Sequence, residues 1–239
     1  MHVFSYASLY NFRIRTWKPE SIKRMPRILE LFSGTGSVGR VFERAGWTVI
    51  SVDILPSCAG HVPTLCMSVL DIELDRWPEK YFDMIWASPP CCEYSIAKTG
   101  SARDMEKGDM LAIYCLHLIS AYRPRFWVVE NPQSGKLKTR QFMQDLSCSV
   151  SDAAYCMYGF PYRKRTRLWH NIPDLILEDC NGHCPAMVTR ASGRRGHRHS
   201  AQKGPSKGND TDICYRSEEL YRIPPKLVEA ILAAIEAAM

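Results

Sequence analysis

The stretch RILELFSGTGSVGRVFERAGW, residues 27–47, joins an apolar β-rich run, a glycine turn and a helical pattern in direct succession. A short run rich in Ile and Leu before a turn is typical of a strand. After the glycines, Val38, Val41, Phe42 and Ala45 recur at helical intervals, so one face of the segment is apolar. The stretch therefore predicts a strand, a tight turn and a helix.

The rest of the chain repeats this alternation. Apolar, strand-like runs cover residues 47–54, 81–88 and 125–131, and a helical pattern covers 104–122. Pro224-Pro225 then opens a final helical segment whose apolar residues form one stripe. Alternating strands and helices favour an α/β fold with a doubly wound, mostly parallel sheet.

We expect four parts along the chain. Residues 1–26 form an N-terminal arm, 27–170 the main domain, 171–216 a short insertion, and 217–239 a helix that completes the main domain. The insertion is rich in Gly, Cys, His, Arg and Ser and has little periodicity, so we predict that it consists mainly of loops.

The composition is that of a globular protein, with 46% apolar and 23% charged residues among 239. Ten cysteines are scattered through apolar segments without a signal peptide, which favours a reducing compartment over secretion. No apolar run approaches about eighteen residues, so no membrane partner is expected. The net charge of +6 is uneven: residues 186–208 contain six Lys/Arg, two His and no carboxylate, which favours a polyanionic partner.

The glycine turn and the next strand have the features of a nucleotide-cofactor site. Glycines let the backbone approach a ligand, and the start of the helix offers free N–H groups. Asp53 ends the second strand, where a carboxylate can accept hydrogen bonds from both ribose hydroxyls. Asp71 would either bind an adenine amino group or cap a turn. The candidate cofactor-binding residues are Phe32, Ser33, Gly34, Thr35, Gly36, Ser37, Asp53, Ile54, Asp71, Ile72 and Pro89.

The type of cofactor can be narrowed from what the glycine turn lacks. No Walker lysine follows the glycines, and only half of the dinucleotide fingerprint is present. A sulfonium-adenosine cofactor therefore fits better than ATP or NAD.

The stretch ASPPCCEYS, residues 87–95, ends a predicted strand with two prolines and two cysteines. The prolines restrict the backbone and would hold Cys91 in one geometry at the carboxyl edge of the sheet. The alternative is that Cys91 and Cys92 are small buried residues, as free cysteines usually are. The next strand favours chemistry, because its end brings Glu130 and Asn131 to the same edge, where a carboxyl beside a thiol can share or deliver a proton.

Taken in order, these motifs resemble those of the cytosine-C5 DNA methyltransferases. The ordered set is LELFSGTGS, SVDI, the Asp71 region, PPCCEYS, ENP and RKRTR, and it runs from residue 29 to residue 167. The resemblance implies a class I S-adenosylmethionine-dependent fold, S-adenosylmethionine as cofactor, and a monomer that acts on double-stranded DNA. The short insertion resembles that of members from phages and large viruses, which suggests a short or relaxed recognition sequence. We expect the protein to act in the cytoplasm, or in the nucleus or viral factory of an infected host.

The resemblance also implies roles for individual residues. Cys91 corresponds to the nucleophile that adds to C6 of a flipped-out cytosine, and Glu130 to the acid that binds N3 and the exocyclic amine, with Asn131 fixing its orientation. Arg165 and Arg167 match the two arginines of the family's Gln-x-Arg-x-Arg motif. Arg165 would hold the base carbonyl and help keep Cys91 ionised, whereas Arg167 would contact phosphate.

The chain departs from the family pattern at two positions. Cys92 stands where a glutamine usually follows the nucleophile, and Arg163 stands where the Gln-x-Arg-x-Arg motif begins. In addition, the asparagine normally expected near the final helix is not visible. Neither Cys92 nor Arg163 occupies a position that usually does the chemistry.

The insertion combines glycines with cations, which suits phosphate tracking and contact with a DNA groove. Cys180, His183, Cys184, His197, His199 and Cys214 offer enough ligands for zinc, with Cys180, Cys184, His197 and Cys214 as the main candidate set, but their spacing matches no standard finger closely. We therefore expect ordinary loop residues and no metal. The candidate nucleic-acid-binding residues are Ser95, Arg163, Arg190, Arg194, Arg195, Arg198, Lys203 and Lys207.

Three alternatives remain open from sequence. An amino-group DNA methyltransferase would have an aromatic residue after Ser88-Pro89-Pro90, where this chain has Cys91. An RNA cytosine-C5 methyltransferase, for example one acting on tRNA, would use the same chemistry on another polymer. A DNA-binding protein on a catalytically silent fold is disfavoured because Cys91 and Glu130 are present.

Overall fold

The computed structural model describes residues 24–96, 102–189, 193–197 and 217–239. Most of the predicted N-terminal arm lies outside these ranges. The described strands are β1 (Arg27–Leu31), β2 (Thr48–Asp53), β3 (Leu65–Cys66), β4 (Met84–Ala87), β5 (Phe126–Pro132), β6 (Ser149–Ala154), β7 (Arg165–His170), β8 (Met187–Thr189) and β9 (Arg195–His197). The α-helices are α1 (Gly39–Arg44), α2 (Met105–Tyr122), α3 (Gln141–Gln144), α4 (Ser217–Tyr221) and α5 (Pro225–Ala238).

Seven strands form one sheet in the order β3-β2-β1-β4-β5-β7-β6. Strands β1 to β5 pair in parallel, and β7 runs antiparallel to both of its neighbours, β5 and β6. This topology confirms the predicted α/β fold with a doubly wound, mostly parallel sheet. Because the first five strands point the same way, the ends of β1, β2, β4 and β5 meet at one edge.

Helices cover both faces of the sheet, and a separate hydrophobic cluster fills each side. On one face, Trp86 and Val128 pack with α1 and α5; on the other, Ile85 and Val129 pack with α2. All four residues of β4, MIWA, are buried, as expected for a parallel strand covered on both sides. Alternate residues of one strand therefore belong to different cores.

The C-terminal helix α5 completes the core on the α1 face. Pro225 occupies its first turn, where the missing N–H costs no hydrogen bond. Leu227, Val228, Ile231 and Ile235 are buried against the cluster that contains Val38 and Phe42. The predicted apolar stripe is confirmed. Among the described residues, no helix combines the length and the apolar character needed to cross a lipid bilayer.

A buried carboxyl, Glu30, lies on β1 beneath the start of α1. It is 2% exposed, and its Oε2 accepts a hydrogen bond from the Gly39 amide at 3.1 Å. Burial outweighs this bond and raises the pKa of Glu30 from 4.5 to about 8. Between those values the folded chain holds a proton that the unfolded chain has released, so rising pH lowers the free energy of unfolding across this window.

We expect Glu30→Gln to remove much of this pH dependence, because glutamine is neutral and its carbonyl can accept the same bond. The free energy of unfolding of the unmodified protein should fall between pH 5 and pH 8 by on the order of 3 kcal/mol more than that of the variant. Urea titration at both pH values measures this difference. Glu43→Gln, on the exposed face of α1, is the matched control and should behave like the unmodified protein. Equal pH dependence in Glu30→Gln and the unmodified protein would contradict the assignment.

Candidate active site

The loop after β1 adopts a conformation that depends on its glycines. Gly34 and Gly36 have positive φ values of 47° and 63°, and Phe32, at 58°, is one of the non-glycine residues in the same region. At Gly36, a Cβ atom would lie 2.4 Å from Nδ1 of His61. The His61 Nε2 atom in turn lies 3.2 Å from the Ser33 hydroxyl. The loop therefore closes against the His61 ring in a way that only glycine permits.

Asp53, at the end of β2, is tied to this loop. Its Oδ2 accepts a hydrogen bond from the Gly34 amide at 2.8 Å, and its Oδ1 accepts one from the Leu55 amide at 2.9 Å. Each carboxylate oxygen has a further lone pair. The next side chain, Ile54, is 70% exposed. A fixed carboxylate beside an exposed aliphatic surface fits the ribose and the adenine of an adenosine cofactor.

The remaining predicted cofactor residues lie at different depths. Thr35 and Ser37 are buried, and the Ser37 hydroxyl accepts a hydrogen bond at 3.1 Å from the amide of Ile223, just before α5. Asp71 is exposed at the end of the 3-10 turn Val69–Asp71. Ile72 is fully buried.

Ile72 is held inside the fold by its main chain and its side chain. Its amide donates to the Val69 carbonyl at 3.3 Å, its own carbonyl accepts from the Tyr114 hydroxyl at 2.6 Å, and its side chain packs in the core beneath α2. Asp71 is exposed and the next residue, Ile72, has its side chain in the core. Ile72 therefore supports the turn that presents Asp71, and its predicted contribution to a cofactor site stays a prediction.

The loop after β4 presents Cys91 at the same edge of the sheet. Its position depends on Asn131, at the end of β5, whose Nδ2 donates to the carbonyl of buried Pro89 at 2.9 Å. Cys91 is partly buried, whereas Cys92 is exposed. Burial raises the pKa of the Cys91 thiol, and the nearby charge of Lys164 lowers it.

Glu130 lies on β5 and is 7% exposed. Its Oε1 accepts a hydrogen bond from the hydroxyl of Thr166 on β7. In the antiparallel register Glu130 is opposite Leu168 and Thr166 is opposite Pro132, so all four residues belong to the face covered by α1 and α5. Among the described residues, the other oxygen of Glu130 has no hydrogen-bond partner.

The same register determines where Arg165 and Arg167 lie. Both alternate with Thr166 and face the other side of the sheet, where Arg167 makes two hydrogen bonds to Asp152 at 2.7 and 2.9 Å. Arg165 is bonded to Asp179 through Nε at 3.0 Å and through Nη2. The expectation that Arg165 keeps Cys91 ionised stays a prediction. The charge of Lys164, which also lies near that thiol, lowers the pKa of Cys91.

Tyr155 is a residue that the sequence analysis missed. It is fully buried in the turn after β6, and its hydroxyl has no hydrogen-bond partner among the described residues. Burial, followed by the nearby charge of Glu130, raises its pKa well above the usual range. The Lys164 ammonium lies 5.0 Å from the centre of its ring. An aromatic residue after a strand carries no sequence signal for such a position.

The predicted nucleic-acid contacts are only partly within the described residues. The Ser95 carbonyl accepts a hydrogen bond from Arg103 at 3.0 Å, and Arg163 donates one to the Cys180 carbonyl at 3.1 Å while its side chain remains exposed. Arg194 and Arg195 are exposed beside and on β9. Arg190, Arg198, Lys203 and Lys207 lie outside the described residues, as does Cys214.

Comparison with known proteins identifies the family that has this set of motifs. The family model for C-5 cytosine-specific DNA methylases matches residues 26–155. A protein of Frog virus 3 (isolate Goorha), named "Probable DNA (cytosine-5)-methyltransferase", is 33% identical over 225 residues, which cover 86% of this chain and 98% of the viral protein. The chain belongs to the C-5 cytosine-specific DNA methylase family. The resemblance inferred from the motifs and the predicted enzyme class, DNA (cytosine-5)-methyltransferase, are confirmed.

Bacterial members of the C-5 methylase family match over shorter stretches. Type II methyltransferase M.XorII of Xanthomonas oryzae pv. oryzae is 27% identical over 142 residues, 53% of this chain and 33% of the bacterial protein. Type II methyltransferase M.HindV of Haemophilus influenzae is 27% identical over 168 residues, 59% of this chain and 51% of the bacterial protein. The similarity to the viral protein thus extends over more of the chain.

The close contact between Gly36 and His61 can be tested by measuring the free energy of unfolding of alanine variants. Gly36→Ala should lower the free energy of unfolding by more than Gly46→Ala, which has a φ of 83° but open space around the added Cβ. The strain of the positive φ costs about 1 kcal/mol at either site, and displacement of the His61 ring adds to it only at Gly36. In a His61→Ala background, the two alanine variants should differ less. A double-mutant cycle by urea denaturation measures the coupling, and a coupling of zero would refute the contact.

Proposed function

We propose that this protein transfers a methyl group from S-adenosylmethionine to C5 of a flipped-out cytosine in double-stranded DNA. The observation that carries the proposal is the Asn131–Pro89 hydrogen bond, which holds the Cys91 loop against the end of the strand that carries Glu130. A thiol and a carboxylate at one sheet edge, next to a glycine loop with a fixed aspartate, form the set that this reaction needs.

The cofactor would lie between the glycine loop and Asp53, with its ribose hydroxyls on the carboxylate and its adenine against Ile54. When bound, it supplies an electrophilic methyl group on a positively charged sulfur. The contact between Ser37 and the Ile223 amide fixes the far side of this loop to the C-terminal helix. These protein groups bind and orient the cofactor and leave the reacting centre to Cys91.

Cytosine C5 is a weak nucleophile until C6 is attacked. The Cys91 thiolate would form a bond to C6, and the electrons displaced from the C5–C6 double bond would make C5 nucleophilic. C5 would take the methyl group as the methyl–sulfur bond of the sulfonium breaks and a neutral thioether leaves. Loss of the C5 proton to solvent would then restore the double bond as the C6–sulfur bond breaks and the thiolate leaves. The sulfur is therefore regenerated in each turnover.

Glu130 would accept a hydrogen bond from the exocyclic amine of the base and share a proton with N3, which stabilises the charge that the thiolate pushes into the ring. Thr166 would hold the carboxylate through its bond to Oε1, so that Oε2 points to the base. Lys164 would favour the thiolate form of Cys91, a role that sequence analysis had given to Arg165. Asn131 would maintain the spacing between thiol and carboxylate.

The DNA would be contacted by the basic insertion, and the target nucleotide would leave the duplex, because a stacked base cannot reach Cys91. Phosphate contacts from the insertion would make binding sensitive to salt. We propose that the protein acts as a monomer and that the reaction takes place in a reducing compartment, the cytoplasm or the nucleus or viral factory of an infected host, where the Cys91 thiol persists.

A covalent trap tests the reaction. The protein is incubated with S-adenosylmethionine and duplex DNA that carries 5-fluorocytosine in random context, and adducts are resolved on a denaturing gel. Fluorine at C5 prevents the final elimination, so we expect a cofactor-dependent adduct with the unmodified protein and none with Cys91→Ala. Cys92→Ala, the adjacent exposed cysteine, is the matched control and should form the adduct.

An adduct that persists in Cys91→Ala and disappears in Cys92→Ala would move the nucleophile to Cys92. Single-stranded DNA and RNA of the same sequence, also carrying the fluorinated base, distinguish the substrates. An adduct with RNA alone would replace the proposed DNA substrate with RNA.

The effect of Lys164 on the thiol leads to a second test. Lys164→Met keeps the aliphatic stem but removes the positive charge, so the pKa of Cys91, already raised by burial, should rise further. The rate of methyl transfer increases as the thiolate forms, and its rising limb should therefore move to higher pH in this variant. Lys164→Arg should largely preserve the profile, and Arg165→Met should not shift it. A shift with Arg165→Met alone would restore the role first assigned to Arg165.

A further inference from the structure

Four potential metal ligands converge where the insertion meets the main domain. The ligand atoms of Cys156, Cys180, Cys184 and His197 all lie within 4.8 Å of one another. The three cysteines are buried, at 1%, 4% and 4% exposure, and His197 is partly exposed. None of these residues takes part in the proposed methyl transfer.

The distances suit tetrahedral zinc. Zinc–sulfur bonds of about 2.3 Å and zinc–nitrogen bonds of about 2.05 Å, at tetrahedral angles, place two sulfurs about 3.8 Å apart and sulfur and nitrogen about 3.5 Å apart. The Cys180 Sγ and His197 Nε2 atoms are 3.5 Å apart. Because all pairs in the cluster lie within 4.8 Å, small side-chain rotations would bring the others to zinc-binding distances.

The turn between two of the cysteines provides a second, independent observation. In CNGHC, residues 180–184, the Gly182 amide donates a hydrogen bond to the Cys180 sulfur at 3.4 Å. Gly182 has a φ of 93°, and a Cβ there would meet no atom within 4 Å, so glycine is needed for the backbone angle and not for space. The bond directs a main-chain donor at a sulfur, which stabilises a thiolate ligand. His183, in the same turn, points away and lies 3.3 Å from Asn181 Oδ1.

The ligands come from three separate pieces of chain. Cys156 follows Tyr155 in the turn after β6, Cys180 and Cys184 belong to the insertion, and His197 ends β9 of the small hairpin. Among the described residues, a small apolar cluster surrounds the three cysteines, with Ala154 and Ala186 buried and Met157 and Met187 packed against it. A cluster of this size buries little apolar surface, so it contributes little stability by itself.

We propose that Cys156, Cys180, Cys184 and His197 bind one structural zinc ion that fixes the insertion to the main domain. The three thiolates and one imidazole complete four-coordination, as in closed structural sites. Two other contacts hold the segment around Cys180 against the main domain. Arg163 donates a hydrogen bond to the Cys180 carbonyl, and Arg165 forms an ion pair with Asp179.

This proposal replaces the expectation of no metal. The sequence analysis considered Cys180, Cys184 and His197 but took Cys214 as the fourth ligand. Cys214 lies outside the described residues. Among those that are described, the fourth ligand is Cys156, which precedes β7 in the sequence, whereas the other three ligands follow β7. The Cys-x₃-Cys spacing of Cys180 and Cys184 could be recognised in the sequence, whereas the contribution of Cys156, which is distant in the sequence, could not.

The first experiment measures metal directly and needs no activity. Untagged protein is reduced, loaded with zinc, dialysed and analysed by mass spectrometry for metal content, and we expect one zinc per chain. Cys156→Ser and Cys184→Ser should retain less than a tenth of that amount. Cys148→Ser, at a half-buried cysteine outside the cluster, is the matched control and should retain the full amount.

A second measurement on the unmodified protein keeps the test valid if the variants misfold. Replacement of zinc by cobalt should give intense visible bands of a tetrahedral site and near-ultraviolet thiolate-to-metal transitions. Failure to retain zinc, or a cobalt spectrum without sulfur transitions, would overturn the proposal. An intact mass about 2 Da lower under non-reducing conditions, with no bound metal, would indicate a disulfide within the cluster and would also overturn it.

Discussion

The hydrogen bond from the Asn131 amide to the Pro89 carbonyl joins two neighbouring strand ends, and the geometry of the site depends on it. Parallel pairing brings β4 and β5 to the same edge, but it leaves the loop beyond β4 without a partner in the sheet. Pro89 and Pro90 have no amide hydrogen, so their main chain can be anchored only through its carbonyls, as at Pro89. Because the bond is buried, loss of the donor would leave Pro89 unsatisfied at a cost of about 1–3 kcal/mol.

The parts of the site that could be predicted are those that a single strand and its following turn determine. The glycine loop, Asp53, Cys91 and Glu130 each come directly after an apolar run, and parallel pairing alone brings such positions together. The partners of Arg165 could not be predicted, because RKRTR offers two alternating sets of polar side chains and a shift of one residue exchanges the faces of a strand. Only the pairing of β7 with β5 selects Thr166 for Glu130, and this register is not visible in local sequence.

Strand β7 separates two electrostatic environments. On the face of α1 and α5, Thr166 contacts the one buried carboxylate of β5; on the other face, Arg165 and Arg167 pair with carboxylates of β6 and of the insertion. Both ion pairs are partly exposed, so each adds little to stability by itself. The pair between Arg165 and Asp179 does hold the segment that follows β7 against that strand. Asp179 immediately precedes Cys180, so the pair also positions Cys180. The charged face of β7 and the cysteine cluster therefore hold the same segment.

Burial of Cys91 has opposite effects on the amount of thiolate and on the nucleophilicity of that thiolate. By raising the pKa of the thiol, burial disfavours the thiolate form. A thiolate of higher pKa is also the stronger nucleophile once it forms. Lys164, which is bonded to the Leu220 carbonyl at 2.6 Å and lies over the Tyr155 ring, limits the rise in pKa without contacting the carboxylate of Glu130. In the proposed reaction, the pKa of Cys91 determines both the fraction of thiolate and the reactivity of that thiolate toward C6. Burial raises this pKa, and Lys164, held over the Tyr155 ring, lowers it.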